Sequence, residues 1–172
     1  MRYGRDRMPA EIVIQGFAQA HAGMEFTCGV RRIDDYFAHG ESIQQARLAR
    51  LFVALDRPTR RTLLGFYAMH NMDIEAGLVP PPLGVRLRRD SQIGAVYISM
   101  LAVASAHQNQ GIGALLLANA LKRIRRLGEE SGIWAAVLDP LNQRPEDFYR
   151  RHGFDTLVAQ PRRLFLPLDS IP

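Results

Sequence analysis

The chain has 172 residues, of which 47% are hydrophobic and 23% are charged. These proportions are typical of a soluble globular protein, and the length fits one domain. No stretch approaches the roughly 20 uninterrupted apolar residues that a membrane-spanning helix needs. The first residues lack the apolar core of a signal peptide, and the single cysteine, Cys28, excludes an internal disulfide. The composition therefore predicts a cytoplasmic protein.

The basic side chains are almost all arginine. Formal net charge is +5, and Lys122 is the only lysine. Two explanations fit: a codon usage in the source genome that favours arginine, and a surface that attracts a polyanion such as a nucleic acid or a nucleotide cofactor. Charge by itself leaves both open.

The N-terminal part of the chain predicts a strand, two short helices and a β-hairpin. Apolar and polar residues alternate over 11–17, as they do in a half-buried strand. Residues 29–50 are mostly polar with apolar side chains at near-helical spacing, which predicts two short helices interrupted near Gly40. Two apolar runs, 50–56 and 62–72, flank a turn that contains a proline, and they predict the strands of a hairpin.

A long excursion with room for one short helix is predicted over residues 73–92. This segment holds three consecutive prolines and a basic run formed by Arg86, Arg88 and Arg89. Residues 93–103 follow and are apolar on both faces of a strand, which predicts a central position in the sheet.

An amphipathic helix is predicted over residues 112–127, with Gly128 as its stop. Its apolar stripe consists of Leu117, Leu121, Ile124 and Leu127. Cations lie toward its C-terminal end, where they would complement the helix dipole: Lys122, Arg123, Arg125 and Arg126. No acid occupies its first turn, which leaves the positive end of the dipole available to a ligand.

The last third of the chain predicts strands at 132–139 and 162–168. Between them, residues 145–154 predict a short helix that has Pro145 in its first turn and ends at Gly153. The predicted hairpins come early in the chain, and the predicted strand–helix–strand units come late. This order predicts a mixed sheet with helices on both faces, in an α/β or α+β class.

A pair of glycines marks the start of the predicted long helix. Residues 108–113 read QNQGIG, or Gln-x-x-Gly-x-Gly. The first N–H groups of a helix have no partner within it, and the helix dipole adds positive charge, so a phosphate fits there. No lysine follows the glycines, which excludes a P-loop, and two glycines late in the chain do not make a Rossmann fingerprint. A loop glycine followed by a close-packing glycine is the alternative without a ligand.

A second motif, NQRPEDFYRRHGF, covers residues 142–154 and contains Phe148 and Tyr149 in succession. When an amine attacks a thioester, a thiolate leaves. A nearby phenol with a pKa of about 10 can give that thiolate a proton. Tyr149 is therefore a candidate proton donor, and the alternative is a packed aromatic residue with a solvated tip.

These two motifs, in this order, resemble those of the GNAT acetyltransferases. The resemblance covers roughly residues 48–166. It implies a mixed, mostly antiparallel sheet with a splayed centre and helices on both faces, in a single acyl-CoA N-acyltransferase domain over residues 1–172. It also implies acetyl-CoA as the co-substrate and Tyr149 as the general acid. The five histidines are scattered without metal-ligand spacing, so no metal is expected.

The resemblance assigns the cofactor contacts residue by residue. Leu101 and Val103, at the end of the central strand, would pair with the peptide-like pantetheine arm, and Asn142 would contact the same arm. The implied contacts to the pyrophosphate are Gln108, Gly111, Ile112, Gly113 and Ala114.

A narrower likeness lies at residues 26–56, which are similar to the opening of the toxin-type GNATs. The shared features are Phe-x-Cys-Gly, a helix with hydrophobic-Asp-x-Tyr, and a helix containing glutamine before the first hairpin strand. The likeness implies acetylation of the free amine of aminoacyl-tRNA and restraint by a ribbon-helix-helix antitoxin. The wider resemblance to GNAT proteins, which are frequently dimeric, implies a homodimer. Cys28 is expected to be structural, because no His/Asp pair marks it as a nucleophile.

Two other functions stay open from the sequence. One is a GNAT enzyme that acetylates a small-molecule amine or a protein amine. The other is a non-catalytic module of the same fold that senses CoA or binds nucleic acid. The residues do not identify the group that deprotonates the acceptor amine.

Overall fold

The computed structural model describes residues 11–81 and 88–172. Its strands are β1 (Ile12–Gly16), β2 (Arg50–Asp56), β3 (Leu63–Glu75), β4 (Gln92–Val103), β5 (Ala135–Leu138), β6 (Asp155–Leu157) and β7 (Gln160–Pro167). Its α-helices are α1 (Arg31–Ala38), α2 (Gly40–Gln45), α3 (Ile112–Glu130) and α4 (Gln143–Arg151). Pro82 and Arg86, from the predicted proline cluster and basic run, lie outside the described residues.

One seven-stranded sheet runs in the order β1-β2-β3-β4-β5-β7-β6. β4 and β5 are parallel, with Ala95 opposite Ala135 and Tyr97 opposite Val137. The pairs β1–β2, β5–β7 and β6–β7 are antiparallel. The predicted mixed, mostly antiparallel sheet with β4 at its centre is therefore confirmed. The splaying of that centre stays a prediction.

The chain divides into two compact units. Unit 1 contains the described residues up to Ala68 together with Met100–Leu117. Unit 2 contains the described residues of Met69–Ser99 together with Ala118–Pro172.

In unit 1, α1 and α2 pack on one face of the strands. Leu51, Val53 and Leu55 alternate along β2 and share a buried core with Phe37 of α1. The ring of Phe37 lies 5.0 Å from the ring of Phe66 on β3. The two helices are separated at His39, so the predicted break near Gly40 is confirmed.

On the opposite face of unit 1 lies the first part of α3, residues 112–117. Phe52 and Tyr67 point to this face, because side chains alternate along a strand, and their rings stack 4.9 Å apart. Gly65 lies on the same face. A Cβ there would stand 2.9 Å from Leu116 Cδ1 of α3 and 2.6 Å from the Ala102 carbonyl oxygen of β4. Helices therefore lie on both faces of the strands in this unit, as predicted.

Unit 2 has its own apolar core. Ile74 of β3, Ile93 of β4, Val137 of β5 and Phe165 of β7 are buried together. Trp134 precedes β5, and its ring stacks 5.7 Å from that of Phe165. All four residues of β5 are buried, and neighbouring strands pair with both of its edges.

The predicted end of α3 is wrong. The helix continues through Gly128 to Glu130, and Leu127 is 38% exposed instead of completing the apolar stripe. Gly128 packs against the side chain of Leu168, which occupies the space that a Cβ would need. The glycine therefore accommodates a tertiary contact and is not a helix stop. The last turn carries Glu129 and Glu130 with no basic residue, so the predicted complement of the dipole by the four cations is also wrong.

Other boundaries differ for local reasons. β5 begins at Ala135 and not at 132, since the Ile133 amide donates to the Ser131 carbonyl and turns the chain there. α4 begins at Gln143, before Pro145. β6 has only three residues, which is too short for a periodic pattern. None of the helices in the described ranges combines the length and the apolar composition that crossing a bilayer requires.

Candidate active site

The turn between β4 and α3 is held in a left-handed backbone conformation at two positions. β4 ends at Val103, and α3 begins at Ile112. Between them, Asn109 has a φ of 60° and Gly111 a φ of 82°. Glycine and asparagine adopt this region more readily than other residues. The first glycine of Gln-x-x-Gly-x-Gly is therefore needed for the path of the backbone.

Packing does not by itself require a glycine at the position of Gly111. A Cβ built there would meet no described atom within 4 Å. Residues 108–111 are exposed, whereas Ile112 is buried and anchors the start of α3. The backbone of the turn is therefore accessible to a ligand, and the buried Ile112 fixes the position of the helix start beside it.

The first amides of α3 point toward the same turn. The first bond of the helical ladder runs from the Leu115 amide to the Gly111 carbonyl at 3.2 Å. The amides of Ile112, Gly113 and Ala114 precede that bond, and so have no acceptor within the helix. No acidic residue occupies the first turn. Together with the helix dipole, these amides form an arrangement that suits an anion such as a pyrophosphate.

The side chain of Gln108 braces this turn. Its Nε2 donates to the Val103 carbonyl at 3.1 Å and to the Cys28 carbonyl at 3.0 Å. These bonds use both hydrogens of the amide, so the Gln108 backbone N–H is the group left to face a phosphate.

Leu101 and Val103 direct their backbone groups away from β3. The Ala104 amide donates to the Leu64 carbonyl of β3 at 2.9 Å. Backbone groups alternate in direction along a strand, so those of Val103 and Leu101 point to the other edge of β4. This is the direction that pairing with an extended, peptide-like ligand requires.

Asn142 is the N-cap of α4. Its Oδ1 accepts a hydrogen bond from the Arg144 amide at 3.2 Å, and its backbone is extended, as N-caps are. Glu146 and Arg150 form an ion pair of 2.8 Å one turn apart, which supports the short helix. The sequence did not reveal this cap, although Asn is one of the preferred residues for it.

Tyr149 lies on the buried side of α4. Its ring packs edge-on against Phe148 at 5.2 Å and against Phe154 at 5.7 Å, and 7% of the residue is exposed. Burial raises the pKa of Tyr149 well above its usual range. The phenol is therefore protonated at neutral pH, as a hydrogen-bond donor must be. His152 Nδ1 lies 2.8 Å from the Phe148 carbonyl oxygen at the end of the helix.

Cys28 has the properties of a structural residue. Burial, followed by its hydrogen bond with Asp34, raises the pKa of the Cys28 thiol to about 11. The thiolate, which is the nucleophilic form, is therefore scarce at neutral pH.

Unit 2 also contains a polar cluster that the sequence did not reveal. Arg163 binds Asp139 through two bonds of 2.9 and 2.8 Å, and the Tyr97 hydroxyl donates to Asp139 at 3.0 Å. The Arg163 bonds hold the pKa of the Asp139 carboxyl below its usual value. His70 contacts the Tyr97 ring at 5.2 Å, and burial lowers the pKa of its imidazole. Three of these residues come from three different strands and Asp139 directly follows a fourth, so no local motif could have grouped them.

The predicted site residues are divided between the two units. Tyr149 and Asn142 belong to unit 2. Unit 1 contains Leu101, Val103, Gln108, Gly111, Ile112, Gly113 and Ala114.

Comparison with known proteins places the chain among acetyltransferases. The "Probable toxin TacT" of Sinorhizobium fredii is 28% identical over 88% of this chain and 87% of its own length. The "tRNA-acetylating toxin" of Mycobacterium tuberculosis is 27% identical over 82% of each chain.

Solved structures of AtaT share the fold. AtaT complexed with acetyl-methionyl-tRNAfMet superposes with a TM-score of 0.86 at 23% identity, over 94% of this chain and 97% of AtaT. An AtaT tyrosine-to-phenylalanine mutant, bound to acetyl-CoA and the C-terminus of the antitoxin AtaR, gives 0.76 at 23% identity, over 93% and 95%.

The family model "Acetyltransferase (GNAT) family" matches residues 34–154, which include both motifs described above. This match confirms the resemblance to the GNAT enzymes, and the names of the curated relatives agree with the toxin-type branch. The chain belongs to the acetyltransferase (GNAT) family.

Proposed function

We propose that this protein transfers the acetyl group of acetyl-CoA to the free amine of an aminoacyl-tRNA, and that it acts as the toxin of a toxin–antitoxin pair. The observation that carries the acetyl-CoA part is the turn before α3, with its left-handed Gly111 and a helix start free of acid. The acceptor is supported by the tRNA-acetylating relatives and by AtaT, whose structure holds an acetylated methionyl-tRNA.

The cofactor is held mainly by backbone groups. The pyrophosphate binds the N–H groups of Gly111, Ile112, Gly113 and Ala114, with the Gln108 N–H beside them. Backbone amides carry no net charge. The dipole of α3, a helix of nineteen residues, therefore adds to their attraction for the anionic pyrophosphate. Leu101 and Val103 pair with the amides of the pantetheine arm, and Asn142 contacts the same arm.

Tyr149 is the general acid. The neutral amine attacks the thioester carbonyl carbon, the carbon–sulfur bond breaks, and the electron pair leaves on the sulfur of CoA. The buried phenol donates its hydrogen to that sulfur as charge develops there. The attacking nitrogen releases one proton to solvent and the Tyr149 phenolate takes one back from solvent, so the products are an acetylated amine and CoA thiol and the enzyme regains its starting state. A phenol is protonated at neutral pH, as this role requires, and burial raises the pKa of Tyr149 further from that pH.

The positive net charge and the membership of the GNAT family together favour an acceptor amine that is attached to a nucleic acid. Net charge is +5, and the described cations of the excursion, Arg88 and Arg89, are exposed. Arginines of this kind bind phosphates and add affinity that falls with salt. A ribbon-helix-helix antitoxin is the proposed protein partner, a homodimer the proposed assembly and the cytoplasm the proposed location, where charged tRNA is present.

Residues 1–172 are proposed to act as one acyl-CoA N-acyltransferase domain. The family match at residues 34–154 runs through segments of both compact units, which supports one functional domain.

Radiolabelled acetyl-CoA and a panel of charged tRNAs test the proposed function. We expect label on the amino acid of one or more aminoacyl-tRNAs, released with the amino acid when the ester bond is hydrolysed. Uncharged tRNA is the matched control and should take up none. Label on a small amine or a protein amine, with none on any aminoacyl-tRNA, would overturn the proposed acceptor and leave the acetyltransferase in place. Binding of CoA without transfer to any acceptor would favour a sensing module.

A further inference from the structure

The segment of residues 27–29 contacts the turn between β4 and α3, where the pyrophosphate is proposed to bind. The segment itself has no part in the proposed chemistry. The Ser105 amide and hydroxyl both donate to the Thr27 carbonyl, at 2.8 and 3.2 Å. Gln108 Nε2 donates to the next carbonyl, that of Cys28, at 3.0 Å. Two successive carbonyls of this segment therefore hold two points of the turn that leads into α3.

Asp34 of α1 holds the segment from the other side. Its Oδ1 accepts from the Cys28 amide at 2.8 Å, and its Oδ2 accepts from the Thr27 hydroxyl at 3.1 Å. Both carboxylate oxygens are thus engaged by the two residues that grip the turn. Hydrogen bonds to an ionised carboxylate are stronger than those between neutral groups.

The geometry of the chain between these contacts is constrained. Gly29 has a φ of 88°, which turns the chain from Cys28 into α1. A Cβ at Gly29 would lie 3.8 Å from Ser105 Oγ, so the segment passes close to the turn. Gln108 Nε2 also reaches Val103, the last residue of β4. These hydrogen bonds, from Asp34 through Thr27 and Cys28 to Ser105 and Gln108, form a brace. The brace connects α1, the end of β4 and the turn.

From this arrangement we infer that Asp34 is a positioning residue for acetyl-CoA, acting through Thr27 and Cys28 on Ser105 and Gln108. The inference rests on the part of the proposed function that places the pyrophosphate at the 108–114 turn. The turn has exposed residues and left-handed positions, and these hydrogen bonds, together with that from Gln110 Nε2 to the Ala106 carbonyl, help to hold its amides in the binding arrangement. Affinity rises when a site is ordered before its ligand arrives.

A role confined to folding makes a different prediction. If Asp34 only stabilised α1, its removal would lower the melting temperature, while the folded molecules would bind CoA with the same Kd. A positioning role raises the Kd of the folded protein at temperatures far below the melting transition. It also raises the KM for acetyl-CoA more than it lowers kcat, because saturation with cofactor orders the turn.

Titration calorimetry of the full chain with CoA provides the test, with Asp34→Ala, Asp34→Asn and Gln108→Ala as variants. Asp35→Asn is the matched control, since Asp35 is the next residue on the same helix and its side chain forms an exposed 3.7 Å pair with Arg31. We expect Asp34→Ala to raise the Kd about tenfold, the loss that one such hydrogen bond produces. Asp34→Asn keeps an oxygen for the Cys28 amide and should show a smaller increase. Asp35→Asn should bind as the wild type does.

A double-mutant cycle separates a coupled brace from two independent effects. Asp34→Ala and Gln108→Ala together should raise the Kd by less than the product of their separate effects, because both break one chain of contacts. An unchanged Kd in Asp34→Ala, or purely multiplicative effects, would overturn the inference. If Asp34→Ala does not fold, an unchanged Kd in Asp34→Asn overturns it instead. Wild-type protein that binds CoA but acetylates no aminoacyl-tRNA would refute only the proposed acceptor, and failure to bind CoA would refute both.

Discussion

Gln108 Nε2 and the Val103 carbonyl oxygen lie 3.1 Å apart, so the residue that opens Gln-x-x-Gly-x-Gly also secures the last residue of β4. This bond closes the connection between the central strand and α3 into a loop of defined shape. The side chain thereby orders the turn, while the amides of Ile112, Gly113 and Ala114 are the groups proposed to bind the cofactor. Substitutions in the turn can therefore change its conformation and its affinity for CoA separately.

Substitution of Gly111 by alanine should weaken both folding and cofactor binding. The φ of 82° disfavours any residue with a Cβ, and we expect a loss of about 1–2 kcal/mol in the free energy of unfolding. Gly111→Asn tolerates this conformation better and should recover much of that stability. Its side chain still extends from the surface proposed to face the pyrophosphate, so the Kd for CoA should stay raised. Urea denaturation and calorimetry measure the two effects, and wild-type CoA affinity in both variants would exclude Gly111 from the contact surface.

Tyr149→Phe should abolish most of the acetyl transfer and leave the cofactor bound. The variant removes only the hydroxyl from a ring held by Phe148 and Phe154, so the fold should persist. A positioned general acid contributes about 10²–10⁴-fold, and kcat should fall within that range. The Kd for CoA should change little. A variant that still acetylates at the wild-type rate would refute the assignment of Tyr149 as proton donor.

Cys28 should react slowly with alkylating reagents at neutral pH. With a thiol pKa of about 11, about one molecule in ten thousand carries the thiolate at pH 7. The rate with iodoacetamide should increase about tenfold per pH unit up to pH 10, as expected for a group titrating above that range. Cys28→Ser should retain acetyl transfer. A rate that reaches its plateau near pH 8, or loss of transfer in Cys28→Ser, would contradict the structural role.

Asp139 should add to stability at neutral pH and lose that contribution in acid. Its folded-state pKa lies below the unfolded value because Arg163, and then Tyr97, stabilise the charged carboxylate. The contribution is therefore present above the unfolded pKa of about 3.9 and disappears as the pH falls through the lower folded value. Asp139→Asn should be less stable than wild type at pH 6, and the difference should be smaller at pH 2.5 in urea denaturation. A difference that is the same at both pH values would show that charge is not the cause.

Gly65→Ala should destabilise unit 1. The added Cβ would stand 2.6 Å from the backbone oxygen of Ala102, which cannot move aside as a flexible side chain could. Overpacking of this kind costs about 1–3 kcal/mol. Gly16→Ala is the control, because a Cβ at that strand glycine meets nothing within 4 Å. Equal stability of the two variants in chemical denaturation would refute the close packing of β3 against β4 and α3.

Local patterns predicted those parts of the fold that local physics determines. The break between α1 and α2, the hairpin and the apolar central strand β4 all follow from periodicity and turn residues close in sequence. Gly128 was misassigned because its reason for being small is the side chain of Leu168, far along the chain. An isolated glycine near the end of a helical pattern looks the same in sequence whether it stops the helix or accommodates a neighbour.

The same distinction applies to the site. Gln108, Gly111 and Tyr149 stand in motifs whose spacing carries chemical meaning, so the roles proposed for them could be assigned without coordinates. The brace from Asp34 through Cys28 to Gln108 joins three separate segments and depends on which carbonyl each side chain reaches. Likewise, the cluster of Asp139, Arg163 and Tyr97 forms only when β4, β5 and β7 are aligned.

A crystal structure of the protein with CoA measures the central claim most directly. We expect pyrophosphate oxygens about 2.7–3.2 Å from the backbone nitrogens of Gly111 through Ala114, the ordinary range for such bonds. The sulfur should lie within hydrogen-bonding reach of the Tyr149 hydroxyl. A diphosphate bound elsewhere on the protein, or a sulfur remote from that hydroxyl, would contradict the proposed mechanism.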